Sequence, residues 1–147
     1  MQILIAVPTL NSWRILPNLV NSLKIQTNSK WKLLLIDGNS SKEHLNYLQK
    51  ISNGDKRISF IKQKKGSKGI FNAMNQAFDI ANKDDFILFW GSDESCYSEN
   101  TIDFLIKKLN NLMLSNNDRN LIIFNAEFIN KSGFKSKRPS FSKIYHE

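Results

Sequence analysis

The chain has 147 residues, the length of about one domain. Lys and Arg number 21 against 13 Asp and Glu, so the net charge is +8, and hydrophobic residues make up 41%. That hydrophobic content suffices for a sizeable core and excludes wholesale disorder. The single cysteine, Cys96, excludes an intramolecular disulfide and a metal site made of cysteines alone. Because no apolar run reaches the roughly 18 residues of a membrane span and no signal peptide is recognised, we expect a soluble cytoplasmic domain.

Short apolar runs alternate along the chain with stretches of helical periodicity. The runs are typical of buried parallel strands and cover Ile3–Val7, Trp31–Ile36, Ile58–Lys62, Phe86–Trp90 and Leu121–Phe128. Between them, four stretches repeat apolar residues at helical spacing, beginning at Leu16, Leu45, Ile70 and Ile102. The order β-α-β-α-β-α-β-α-β predicts an α/β/α sandwich with a mostly parallel central sheet, in a single domain over residues 1–147.

Three local patterns refine this prediction. Ser40 precedes the second predicted helix and Glu43 follows three residues later, which predicts Ser40 as the N-cap of a capping box. His44 falls on the same helix, and we expect it at the surface. Cys96 has no histidine near it in sequence, so we expect an inert thiol rather than a nucleophile.

Polar residues follow the first four predicted strands, and ligands of such folds bind at this edge of the sheet. Asp37 ends the second strand, where a carboxylate can accept hydrogen bonds from a base or a ribose, or simply cap its own turn. Lys65–Gly69 is a basic, glycine-rich turn before a helix, which suits a phosphate. Its spacing matches neither a Walker A motif nor a dinucleotide-binding motif.

Asp93 and Glu94 follow the fourth strand as adjacent acids. Mg²⁺ and Mn²⁺ bind one or two carboxylates together with phosphate oxygens, and would neutralise charge on a leaving diphosphate. A solvated acidic turn is the alternative interpretation. We favour the metal site because the lysine-rich turn, suited to phosphate, is predicted at the same edge of the sheet.

Four segments in this order resemble the N-terminal half of glycosyltransferase family 2, which has the GT-A fold: Ile5–Ser12, Leu34–Ser41, Lys68–Phe78 and Phe89–Glu94. The resemblance implies a metal-assisted, inverting transferase that uses a nucleotide-diphosphate sugar, of the UDP or dTDP type. Its cofactor would be Mn²⁺ or Mg²⁺, and its acceptor a glycan or a lipid-linked glycan. The resemblance also implies a set of nucleotide-binding residues, namely Pro8, Thr9, Asn11, Asp37, Lys68, Asn75 and Asp93, with Asp93 and Glu94 at the metal.

The sequence departs from the family pattern at three points. Glu94 stands where relatives usually carry Asp, and Asn72 stands where they commonly carry Asp. The general base of inverting members is an acid well downstream of the metal motif, and this chain stops at Glu147 about where that half should begin. The catalytic base is therefore unassigned, and a truncated, non-catalytic nucleotide-binding module is the alternative function.

Residues 131–147 form a basic stretch, which we interpret as a C-terminal tail or as the truncated start of an acceptor region. Its aromatic and basic residues from Phe134 to Tyr145 suit peripheral contact with an anionic membrane at its inner, cytoplasmic face. The positive charge alone would also suit nucleic acid. Because no recognition motif or aromatic stacking platform accompanies it, we expect no nucleic-acid partner. The oligomeric state stays open.

Overall fold

The computed structural model describes residues 1–67, 69–114, 127–129 and 135–137. Met1–Asn111 form one compact unit, and Leu112–Glu147 form a second. The elements of the first unit, in chain order, are β1 (Ile3–Thr9), α1 (Leu16–Lys24), β2 (Trp31–Asp37), α2 (Lys42–Gly54), β3 (Ile58–Lys62), α3 (Ile70–Phe78), β4 (Phe86–Phe89) and α4 (Thr101–Leu114), whose last three residues belong to the second unit. In the second unit, β5 (Glu127–Ile129) and β6 (Lys135–Lys137) pair antiparallel.

The central sheet has the order β3-β2-β1-β4, and all its strand pairs are parallel. The first three strands are laid down in one direction, and β4 then joins the other side of β1. This reversal makes the carboxyl ends of β1 and β4 the topological switch point, where ligands of open α/β sheets bind. The predicted α/β fold with a parallel sheet is confirmed. The predicted strand Leu121–Phe128 lies outside the described residues except at its last two positions.

Helices cover both faces of the sheet. On one face, Leu4, Ala6, Leu34 and Ile36 form a buried cluster with Ala73 and Ala77 of α3. Because side chains alternate along a strand, Thr9 and Asp37, which are register partners, point to the opposite face. There they meet His44 of α2. The sandwich therefore places polar strand ends directly beneath α2.

The buried face of α2 differs from the sequence-based expectation. His44, Leu48 and Ile51 are its buried residues, whereas Leu45 is half-buried. The expectation that His44 lies at the surface is wrong, because its i, i+4, i+7 spacing places it in line with the two apolar residues. The N-cap is Ser41 rather than Ser40, so the helix begins one residue later than the capping-box pattern predicted.

One polar side chain joins α1 to the start of α4. Gln26 is 8% exposed, and its Nε2 donates to the carbonyls of Ser22 and Ser98 at 2.8 and 2.7 Å. Its Oε1 accepts the backbone N–H of Ile102 at 2.9 Å. All its main hydrogen-bonding positions are therefore satisfied in the interior, where each unmet group would be costly.

A second contact involves Arg57, which lies over the buried ring of Trp31. The Arg57 guanidinium lies 4.0 Å from the centre of the buried Trp31 ring and makes two hydrogen bonds to Asp55, at 3.1 and 2.8 Å. The hydrogen bonds from Arg57 hold the pKa of Asp55 below its usual range.

Among the residues that the structure describes, no helix is both long and apolar enough to cross a membrane.

Candidate functional site

The ends of β1, β2 and β3 are joined by backbone hydrogen bonds that continue past the strands. The N–H of Gly38 donates to the carbonyl of Thr9 at 2.9 Å, and the N–H of Gln63 donates to the carbonyl of Asp37 at 2.8 Å. A Cβ added at Gly38 would lie 3.4 Å from the Thr9 carbonyl and 3.6 Å from the Gln63 side chain. The polar residues at the three strand ends therefore lie side by side, as the topology predicts.

Pro8 and Thr9 belong to β1 itself rather than to the loop that the sequence suggested. The Ala6 carbonyl accepts the N–H of Trp90, so the backbone hydrogen-bonding groups of Ala6 point toward β4. The backbone nitrogen of Pro8, two residues later, points to the same side. The pairing of β1 with β4 ends at Ala6 and Phe89. Pro8 therefore extends the strand where its missing N–H leaves no ladder position unpaired.

Asn11 connects the loop after β1 to the loop after β2. Its backbone N–H donates to Oγ of Ser40 at 2.9 Å, and its Oδ1 accepts the N–H of Ser41 at 2.8 Å. Its φ of 51° lies in the left-handed region, which Asn tolerates better than most residues. We call these two hydrogen bonds the Asn11 clamp. Ser40 serves this clamp and does not cap α2.

Asp37 is 1% exposed, and its carboxylate is held by its own turn. It accepts the backbone N–H groups of Asn39 and Ser40, each at 3.3 Å. Nε2 of His44 lies 3.7 Å from its Oδ1 and 3.0 Å from Oγ1 of Thr9. The turn-capping interpretation of Asp37 is thus observed, and contact with a nucleotide base stays a prediction.

Asp93 and Glu94 converge on Gly91. A Cβ added at Gly91 would lie 2.7 Å from Oδ1 of Asp93 and 3.5 Å from Oε1 of Glu94, so both oxygens approach one point that only glycine leaves open. Desolvation of the Glu94 carboxyl, with a smaller contribution from the Asp93 charge, raises its pKa, and a hydrogen bond with the Gly91 backbone opposes this.

This pair offers two hard oxygen ligands on the loop after β4. The described part of the chain contains no group of three or more acidic, histidine or cysteine side chains suited to a metal. A hard divalent cation here would therefore complete its coordination with water and phosphate oxygens, which is the usual arrangement for Mg²⁺. The oxygen chemistry of the pair and the approach of both carboxylates to Gly91 fit such a cation.

The basic turn after β3 leads into α3 through two glycines with positive φ, Gly66 at 86° and Gly69 at 84°. Gly69 is the N-cap of α3, and no described side chain caps this helix. Its first-turn N–H groups therefore suit an anion. Lys64 pairs with Asp79 at 2.6 Å on the surface. Lys68, predicted to contact the donor, lies outside the described residues.

The predicted nucleotide contact on α3 is Asn75. Asn75 is exposed on α3, on the side of the helix away from Ala73 and Ala77, and Asn72 is exposed as well. The structure thus links Thr9 to Asp37 through strand pairing and His44, and links Asn11 to Asp37 through Ser40. Burial raises the pKa of the half-buried Cys96 thiol, in keeping with an inert role.

The glycosyl transferase family 2 model matches residues 4–145 of the chain. The chain belongs to glycosyltransferase family 2. Among curated proteins, the chain is 33% identical over 99 residues to the PGL/p-HBAD biosynthesis glycosyltransferases of Mycobacterium bovis and Mycobacterium tuberculosis. The match covers 67% of this chain and 38% of those proteins, so the chain spans about two fifths of their length.

Solved structures agree with the family on the fold. S. aureus TarS 1-349 in complex with UDP-GlcNAc superposes with a TM-score of 0.67 at 23% identity, covering 77% of this chain and 32% of that one. The mannosyltransferase PcManGT from Pyrobaculum calidifontis, in complex with GDP-Man and Mn²⁺, gives a TM-score of 0.64 at 15% identity, covering 74% and 32%. The fold of this family member is therefore GT-A.

Proposed function

We propose that this glycosyltransferase binds a uridine-diphosphate sugar at the carboxyl edge of its sheet and transfers the sugar, with inversion, to a hydroxyl of a glycan or lipid-linked glycan. The observation that carries the proposal is the convergence of the Asp93 and Glu94 oxygens over Gly91. This pair follows β4, one side of the switch point where ligands of such sheets bind. The UDP-GlcNAc and UDP held by the TarS structures support a uridine donor.

The described residues suggest how the donor is held. The β1 and β2 loops, joined by the Asn11 clamp and by the Thr9–Gly38 hydrogen bond, would form the wall for the nucleoside. The N-terminus of α3, which no described side chain caps, and the lysine-rich turn before it would face the diphosphate, because both favour negative charge. Residues Pro8, Asn75 and Lys68 stay proposed contacts of the nucleotide.

Asp93 and Glu94 are proposed to hold Mn²⁺ or Mg²⁺. When bound, the cation supplies neutralisation of the charge that develops on the leaving diphosphate. Glu94 replaces the Asp usual at this position, and its longer side chain still brings Oε1 within 3.5 Å of the point that Asp93 approaches. No residue among the described ones is assigned as the general base for the acceptor hydroxyl.

The test is isothermal titration calorimetry of the chain with UDP, dTDP and GDP, each with and without MnCl₂. We expect UDP to bind, and Mn²⁺ to strengthen its binding. Asp93→Asn should abolish the effect of Mn²⁺ because it removes one ligand charge at the proposed site. Asp84→Asn is the matched control, since Asp84 is exposed in the turn at the other end of β4 and loses the same charge.

Each outcome has a defined meaning. Failure of the wild-type chain to bind any of the three diphosphates would overturn the proposed donor site. An Asp93→Asn variant that keeps the full Mn²⁺ effect would overturn the metal assignment alone. Donor binding without release of UDP from UDP-GlcNAc would instead favour the non-catalytic nucleotide-binding module.

A further inference from the structure

His44 is a fully buried polar side chain to which the donor-site proposal gives no role. It lies in the third position of α2 at 0% exposure. Its Nε2 faces two strand ends at once, 3.0 Å from Oγ1 of Thr9 and 3.7 Å from Oδ1 of Asp37. Its Nδ1 is buried with no hydrogen-bond partner among the described residues. A buried imidazole with one satisfied nitrogen needs an explanation, because leaving the other unmet costs free energy.

The two contacts determine which nitrogen carries the proton. With the proton on Nε2, the ring donates to the Thr9 hydroxyl and presents its positive edge to the Asp37 carboxylate. With the proton on Nδ1, a donor would be left unpaired in the interior and a lone pair would face the carboxylate, which is unfavourable on both counts. We therefore assign the neutral ring with the proton on Nε2.

Burial supports the neutral form. Desolvation lowers the pKa of His44 below its ordinary range, and the nearby Asp37 charge opposes this shift only in part. Asp37 is the charged group that faces the ring, and its other hydrogen bonds come from the backbone of its own turn. The ring thus acts at neutral pH as a fixed donor rather than as a cation.

The position of these contacts suggests what the donor does. Thr9 ends β1 and Asp37 ends β2, and they are register partners, so the His44 ring donates to one strand end and lies 3.7 Å from the carboxylate of the other. The Asn11 clamp joins the two following loops a few residues further on. The clamp joins the loops to each other, whereas His44 ties the strand ends below them to a helix of the core.

We propose that His44 is a positioning residue of the donor site, whose Nε2–H holds the Thr9 hydroxyl beside the Asp37 carboxylate so that the β1 and β2 loops are preformed for the nucleotide. This inference rests on the proposed function, because it concerns the affinity of that site. His44 itself does not touch the donor. Removal of the N–H should loosen the arrangement and weaken nucleotide binding, while the apolar contacts of α2 with the sheet persist.

The test compares three substitutions at position 44. In His44→Gln the amide nitrogen reaches the place of Nε2, whereas in His44→Asn it reaches only the place of Nδ1, and His44→Phe fills the volume without a donor. We expect His44→Asn and His44→Phe to weaken UDP binding at saturating MnCl₂ by about tenfold, within the range measured for outer-shell partners. His44→Gln should stay within about threefold of the wild-type chain, because it restores the donor. Purely structural filling would rank the variants by volume instead.

Thr9→Val provides the same test from the other partner. It should weaken UDP binding about as much as His44→Phe, and the double variant should cost no more than the larger single effect, as expected of one shared interaction. Equal UDP affinity of the wild-type chain and of all three His44 variants would overturn the inference. Failure of the wild-type chain to bind UDP would overturn the donor site, and with it the positioning role.

A second measurement needs no ligand and separates these cases. The ¹⁵N resonances of the histidine rings report which nitrogen is protonated. At pH 7, we expect the resonances of one neutral ring with its proton on Nε2. These resonances should be absent from the spectrum of His44→Gln. A ring at position 44 that is protonated on Nδ1, or on both nitrogens, would overturn the inference whatever UDP does.

Discussion

Replacing Gly91 by alanine should weaken metal-assisted nucleotide binding without destabilising the fold. The new methyl group would lie 2.7 Å from Oδ1 of Asp93, whereas ordinary contacts begin near 3.4 Å. The three atoms nearest to the methyl group all belong to the side chains of Asp93 and Glu94. The Asp93 carboxylate, rather than the backbone, must therefore move by about 0.7 Å. Metal–ligand distances tolerate only about 0.2 Å, so the displaced oxygen should no longer serve the proposed cation site.

Gly91→Ala is expected to change stability and UDP affinity in opposite directions. Gly91 does not have positive φ, so alanine fits its backbone and should raise the free energy of unfolding by roughly 0.4–1 kcal/mol through the unfolded state. The Asp93 side chain is exposed and can rotate away at little cost. Loss of one ligand position should nevertheless weaken UDP binding in MnCl₂ by about tenfold, or about 1.4 kcal/mol.

Calorimetry with UDP and urea denaturation measure the two quantities on the same sample. Gly54→Ala is the matched control, because a Cβ at Gly54 meets nothing within 4 Å. It should share the gain in stability and keep the wild-type affinity. Wild-type affinity in Gly91→Ala would refute the reasoning, since it would mean that the oxygen position over Gly91 is irrelevant to binding.

Three further predictions concern the scaffold. Gln26→Leu should lower the free energy of unfolding by about 2 kcal/mol, because the N–H of Ile102 loses its buried acceptor; an unchanged urea midpoint would contradict this. Arg57→Lys keeps the charge but loses the planar contact with Trp31, and should lower the free energy of unfolding by about 1 kcal/mol in the same assay. An unchanged free energy of unfolding would show that the stacking does not contribute to stability. The pKa of His44 is lowered in the folded chain, so the unfolded chain binds its proton first as pH falls through about 6.5. The free energy of unfolding should therefore decline from pH 7 to pH 5.5, and His44→Phe should lack this part of the decline.

Apolar periodicity accounts for how far the sequence predicted the fold. The stripe of Leu16, Leu19, Val20 and Leu23 is buried as expected, and the starts of β1, β2, β3 and β4 coincide with the predicted runs. Burial of an apolar face is the largest favourable contribution to folding, so its period is visible in the residues themselves. The predicted strands end two residues too early in β1 and one residue too early in β2. The reason is that Thr9 and Asp37, although polar, still pair in the sheet.

The site was harder to predict because its contacts join residues far apart in the chain. The position of Asp37 and Asp93 after strands is visible in the sequence and makes them candidates, but the contact of Asn11 with Ser40 depends on two loops of separate βα units. His44 was missed because a histidine on a helix is usually exposed. Its spacing to Leu48 and Ile51 was the available signal.

The pairing of β1 with β2 has a consequence for how the chain tolerates insertions. Asp37 shares its side of the sheet with Leu33 and Leu35, so the same parity that buries two leucines also delivers the carboxylate to α2. One residue added within β2 would turn Asp37 toward α3 and strand a charge against alanines. Two added residues would restore the side but carry it about 6.6 Å beyond Thr9. Length changes in this chain should therefore accumulate in its loops, where no such counting applies.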